Sequence, residues 1–75
     1  MALNWHQKTV VLWIQNDPEL RDLAQRYVNT ARARKERKEK AAQRMCDWLH
    51  MQGRFTTPEG ARFTTSSVRL AMMGM

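Results

Sequence analysis

Cysteine is nearly missing from this chain. Cys46 stands alone, so no internal disulfide can form, and that usage fits a reducing cytoplasm. Long apolar runs are missing too. Val10–Ile14 falls far short of the roughly 20 residues that a bilayer crossing needs, and no signal-like segment is read, so neither a membrane span nor export is expected. With only 3 glycines there is no Gly-rich phosphate loop, and no Ser/His/Asp set accompanies the 2 histidines, so no enzyme is expected. Carboxylates are the scarce charge: 7 Asp and Glu stand against 13 Lys and Arg, which leaves a formal charge of +6.

What is there fits one small domain. A chain of 75 residues buries only about 60% of its unfolded surface, so stability is marginal. The 3 tryptophans, 1 tyrosine, 2 phenylalanines and 6 methionines supply a small core, and 43% hydrophobic residues argue against disorder along the whole chain. A pI near 10.5 favours a polyanionic partner, with nucleic acid first and an anionic membrane second. Membrane binding is set aside because the basic run has only alanines for an apolar face.

That run is Thr30–Arg44, TARARKERKEKAAQR, in which Arg32, Arg34, Lys35, Arg37, Lys38, Lys40 and Arg44 meet only Glu36 and Glu39. Most of the excess positive charge sits there. The bland account is a solvated face that keeps the protein soluble. The functional account is a phosphate-binding arm.

Along the chain, Asn4 with Gln7 resembles a capping box opening a short helix over residues 4–15, although TVVLWI is also β-branched enough for a strand. Asn16-Asp17-Pro18-Glu19 signals a second helix start, and capping and dipole effects account for Asp17, Glu19 and Asp22 without catalysis. Leu20, Leu23, Ala24, Tyr27, Val28 and Ala31 then recur at spacings of three and four as one apolar face, expected to pack on Trp5–Ile14. A helix unbroken from Pro18 to Met51 would run about 50 Å, against a radius of gyration of roughly 11 Å for a compact domain of this length. A break near Asn29-Thr30 is therefore expected, or else pairing with a second copy as a homodimer. The helical N-terminal part is placed at 4–28 and a basic helix at 30–51, ended by Gly53.

Residues 54–64, RFTTPEGARFT, read as a β-hairpin turning at Pro58-Glu59-Gly60 with Phe55 and Phe63 in the core. Thr65-Ser66-Ser67 caps a last helix within 65–73. The expected fold is mainly α: a small helical domain with a short β-hairpin, winged-helix-like. Arg54 and Arg62 flank the hairpin where a wing would hold a duplex, and Ser66, Ser67 and Arg69 sit where a helix start meets phosphate or a base edge. Cys46 and His50 have metal-ligand spacing, but two ligands without a partner pair do not make a site, and no metal or cofactor is expected.

Two stretches resemble known families. Ala42–Met73, through Trp48-Leu49, Gly53, Thr57-Pro58, Gly60, Phe63 and Ser66-Ser67-Val68-Arg69, resembles the end of the recombinase domain of large serine recombinases. That resemblance implies part of a DNA-binding module. The catalytic serine domain has no counterpart, so it implies no recombinase activity. Ala31–Gln43, through Arg34, Lys35, Glu36, Arg37, Lys38 and Ala41, is similar to the arginine-rich RNA-binding peptides of lambdoid phage N antitermination proteins, which implies an RNA-hairpin partner. A basic-zipper echo at Asn29, Ala33 and Arg37 lacks leucine heptads. The expected function is duplex-DNA binding by a phage or mobile-element regulator or accessory factor. The alternatives are an inhibitor or adaptor docking on a host protein through Trp5, Trp13 or Trp48, and an RNA-binding antitermination-like factor.

Overall fold

Asp17 makes the first corner of the molecule. In the computed structural model, which describes residues 3–75, it ends α1 (Trp5–Asn16) and starts α2 (Pro18–Ala33). Its main-chain N–H donates to Trp13 O at 3.1 Å. Its carboxylate accepts from the amides of Glu19 at 3.0 Å and Leu20 at 3.3 Å, and Pro18 needs no acceptor. One residue thus closes one helix and opens the next. At the other end of α1, the amide of Gln7 donates to Asn4 Oδ1 (2.8 Å) and that of Asn4 to Gln7 Oε1 (3.2 Å), the expected capping box. The helical reading of this segment holds over the strand.

α2 runs straight through Asn29-Thr30, where a break was expected. Val28 and Ala31 on either side are buried, and Gln25 Nε2 donates to Asn29 Oδ1 at 2.9 Å along the outer face. Burying those two apolar side chains outweighs the few tenths of a kcal/mol that Asn and Thr cost in a helix. The break comes at residues 34–37 instead, and α3 spans Lys38–Met51. The basic run is therefore not one helix over 30–51. It is the end of α2, a corner, and the first turns of α3.

That corner is closed as a Schellman motif: Glu36 N donates to Ala31 O (2.7 Å) and Lys35 N to Arg32 O (3.1 Å). Lys35 occupies the left-handed position with φ +57°, which is glycine's usual place. The end of α3 repeats the motif with the expected glycine, Gly53 at φ +75°, with Arg54 N on Leu49 O at 2.9 Å. The contrast sets up a test. Lys35→Gly relieves the strain and raises stability by about 1 kcal/mol, read as the shift of a denaturation midpoint.

The hairpin and the wing do not form. Residues 54–64 make a tight turn with a single antiparallel bridge, Thr56 to Arg62. Three main-chain bonds lie within the segment: Thr57 N to Ala61 O (2.8 Å), Gly60 N to Thr57 O (2.9 Å) and Phe63 N to Phe55 O (2.9 Å). Gly53 and Arg54 are committed to closing α3, and Thr64 already caps the next helix, so nothing remains to lengthen a ladder. That helix, α4 (Thr65–Ala71), is capped by Thr64 and not by Thr65, Ser66 or Ser67. Phe63 is buried as expected. Phe55 is not: it is 59% exposed and lies tilted against the His50 ring at 5.3 Å between centroids.

The fold is mainly α. α1 packs on α2 and α4, and α3 packs on α2 and α4, so the four helices form a closed ring. α2 rests more on α3 than on α1, against the sequence expectation. Val10, Ile14, Leu20, Val28, Met45, Leu49, Val68 and Met72 fill the centre, and the radius of gyration is 11.4 Å. Among the described residues no helix is long and apolar enough to cross a membrane.

Candidate nucleic-acid interface

The corner between α2 and α3 brings together five of the chain's cations. Arg34 ends α2, Lys35 and Arg37 lie in the turn, and Lys38 and Lys40 open α3. Arg34, Lys35, Arg37 and Lys40 are exposed and Lys38 is half-buried. The single ion pair among the described residues is Arg44 with Glu36, so these five cations have no carboxylate partner.

Both carboxylate oxygens of Glu36 are held by one guanidinium. Arg44 Nη1 and Nη2 donate to its two oxygens at 2.7 and 2.8 Å, a bidentate pair. The Arg44 hydrogen bond, more than the nearby charges of Arg44, Arg34 and Lys40, holds the Glu36 carboxyl below its ordinary value, and the guanidinium is pushed up in turn. A depressed carboxylate stabilises the fold above its unfolded pKa, and the contribution disappears as pH falls through the folded value. Wild type should therefore melt above Glu36→Gln near neutral pH. The two melting temperatures should converge in acid, below the usual carboxylate range.

Local chemistry at this corner runs against local stability. Arg37 is the N-cap of α3, yet no side chain caps the helix, and Lys38 and Lys40 sit in a first turn where the helix dipole disfavours cations. Lys35 takes the left-handed position described above. Residues that would be more stable here — glycine at 35, serine or aspartate at 37 — would each remove a positive charge.

The other cations named from the sequence are dispersed. Arg32 lies nearly half a turn round α2 from Arg34 and donates to Met75 O at 2.7 Å. Arg44 is committed to Glu36. Arg62 is exposed at the bridge, where its main-chain N–H donates to His6 Nδ1 at 3.1 Å, and Ser66 Oγ accepts from Gln7 Nε2 at 3.2 Å, so both adjoin the start of α1. Ser67 is 1% exposed, with its hydroxyl 2.8 Å from Thr64 Oγ1, and cannot reach a ligand. Arg69 is exposed on α4. Arg54 follows α3 and lines a hollow with Leu23, Arg26 and Trp48.

The sequence reading missed the seam between α2 and α3. A groove of about 310 Å³ there is lined by Leu23, Arg26, Tyr27, Thr30, Arg34 and Arg44. Its signal was present in the chain: Leu23 and Tyr27 sit at the margin of the α2 apolar face, with Arg26 and Thr30 just outside it.

Cys46 and His50 meet at one main-chain oxygen. The thiol donates to Phe63 O at 3.3 Å, and His50 Nε2 lies 3.1 Å from the same oxygen. Both side chains serve to hold the 54–64 turn onto α3. Burial first, and then the Asp47 charge, push the thiol up, so it stays protonated. No group of three metal-ligating side chains occurs among the described residues. No protein-family profile, curated protein or solved structure matches the chain.

Proposed function

We propose that this chain is a small DNA-binding protein that grips the phosphate backbone of a duplex with the α2–α3 corner. The observation carrying this reading is the set Arg34, Lys35, Arg37, Lys38 and Lys40, none in an ion pair, with Lys35 in a left-handed position and Arg37, Lys38 and Lys40 at an uncapped helix start, where uncharged residues would suit the backbone better. Sequences break local rules where function demands it. The uncapped amides at the start of α3 add hydrogen-bond donors for a phosphate oxygen. The likeness of Ala42–Met73 to a DNA-binding module points the same way, and that of Ala31–Gln43 to RNA-binding peptides makes an RNA hairpin the competing ligand. A regulator or accessory role in a phage or mobile element follows from those two likenesses alone. A cytoplasmic location accords with the lone buried thiol.

The test is a titration onto random-sequence duplex at several salt concentrations. The logarithm of affinity should fall linearly with the logarithm of salt, with a slope of about −0.9 for each phosphate neutralised. Salt-independent or undetectable binding overturns the reading, and an RNA hairpin bound far more tightly than duplex transfers it to RNA. A sharper check uses Arg37→Ser. It supplies the missing cap and should raise stability by about 1 kcal/mol, while weakening duplex binding and reducing the salt slope by about one unit. Stability and affinity moving in opposite directions is the signature of a functional residue.

A second reading has its own observation. Trp5 is 54% exposed and Met51 83%, and with Phe55 they leave large apolar side chains in solvent. An inhibitor or adaptor would anchor on a host protein through such groups. Trp13 and Trp48, the other candidate anchors, are half-buried and serve it less well.

A further inference from the structure

We propose that the groove between α2 and α3 receives one unpaired nucleotide, so that the protein prefers single-stranded or locally opened DNA over intact duplex. The inference rests on the nucleic-acid reading above and narrows it. Leu23 and the Tyr27 ring form a half-buried apolar floor. Arg26, Arg34, Arg44 and the exposed Thr30 complete the lining. An apolar, partly aromatic floor under a guanidinium rim matches a base with its phosphate. The Tyr27 ring and the Arg26 guanidinium offer stacking faces, and the exposed Arg34 offers paired donors to phosphate.

Position and size support the same occupant. Arg34 belongs both to the groove and to the cationic corner, so a strand held by its phosphates at the corner passes over the floor. At about 310 Å³ the groove lies at the low end of the range for small-ligand sites, roughly 300–1,000 Å³. That suits a single nucleotide better than a helix of another protein. The neighbouring hollow along the seam carries Glu19 and Asp22 beside Arg26 and Arg54, so it lacks the purely cationic rim of this groove. Arg44 lines the groove from α3, with Nη1 and Nη2 donating to Glu36. Stacking on Tyr27 is indifferent to base identity, so the preference is for strandedness and not for sequence.

The full chain is titrated, at one salt concentration, onto a fluorescein-labelled oligothymidylate, an abasic strand of equal length, and a duplex. The expected result is that oligothymidylate binds about tenfold more tightly than the abasic strand, a factor typical of one stacked base. Arg26→Gln and Tyr27→Ala should each remove most of that factor, leaving abasic-strand and duplex affinities within about twofold of wild type. Arg26 is exposed, so Arg26→Gln gives a readout even if Tyr27→Ala unfolds. Equal affinity for thymidylate and abasic strands overturns the inference, as does a uniform loss across all three ligands. Displacement of the strand from the groove by an acidic peptide that itself depends on Arg26 and Tyr27, without a base effect, overturns it in favour of a protein partner. Duplex binding with no base effect sinks this inference alone, whereas no binding to any of the three sinks the DNA reading as well.

Discussion

Replacing Arg34, Lys35, Arg37, Lys38 and Lys40 together by glutamine should lower affinity for random duplex DNA on the order of a thousandfold near 0.1 M salt. Each lost phosphate contact removes about 0.9 from the salt slope, so five flatten it by roughly 4.5. The fold should survive. None of the five is buried or ion-paired, and glutamine is as good a helix former as the residues it replaces. Relief of like-charge repulsion should hold the melting temperature level or raise it. The comparison variant carries Arg32, Arg62 and Arg69 as glutamine, three cations held elsewhere on the surface. It should keep most of the affinity. If the two variants lose equally per charge, binding follows net charge and the α2–α3 corner has no special part.

Leu49→Ala should be the most damaging single change to the fold. Leu49 is fully buried in α3, the helix that contacts both α2 and α4, and it belongs to the central cluster. Truncating a buried leucine costs about 3 kcal/mol through lost transfer energy and the cavity left behind. A domain of this size has only roughly 4–11 kcal/mol in total. At about 4–8 °C per kcal/mol the melting temperature should fall by roughly 12–24 °C. Leu12→Ala is the control: Leu12 is half exposed on α1 and its removal should change stability by less than about 0.5 kcal/mol. Thermal melts followed by circular dichroism compare the two directly.

The parts of this fold that could be read from the chain are those set by short-range hydrogen bonds. Asn4 with Gln7, Asp17 with Pro18, and Gly53 each act within a few residues, and each stands where its chemistry placed it. The α2–α3 break was legible in kind, because an uninterrupted rod would overhang its own domain. Its position was not, because the left-handed residue is a lysine and carries none of glycine's signal. The 54–64 segment shows the weakness of strand propensity, which describes packing surroundings more than backbone preference. Phe55-Thr56-Thr57 had the composition, but the neighbouring caps left no length for a ladder. The basic arm was visible as composition. Its geometry was not, since the fold divides neighbours in the run, sending Arg32 toward Met75 and Arg44 to Glu36. The Leu23–Tyr27 groove exists only once two helices lie side by side, and no pattern within one of them encodes it.

The ring of helices has a consequence for how the molecule comes apart. Each helix has just two partners, and α1, met early in the chain, leans on α4, met late. Peeling any one away would strip cover from both its neighbours at once, so no half of the structure is left able to stand. Limited digestion should find no trimmed, folded remnant: molecules are either whole or degraded to small peptides.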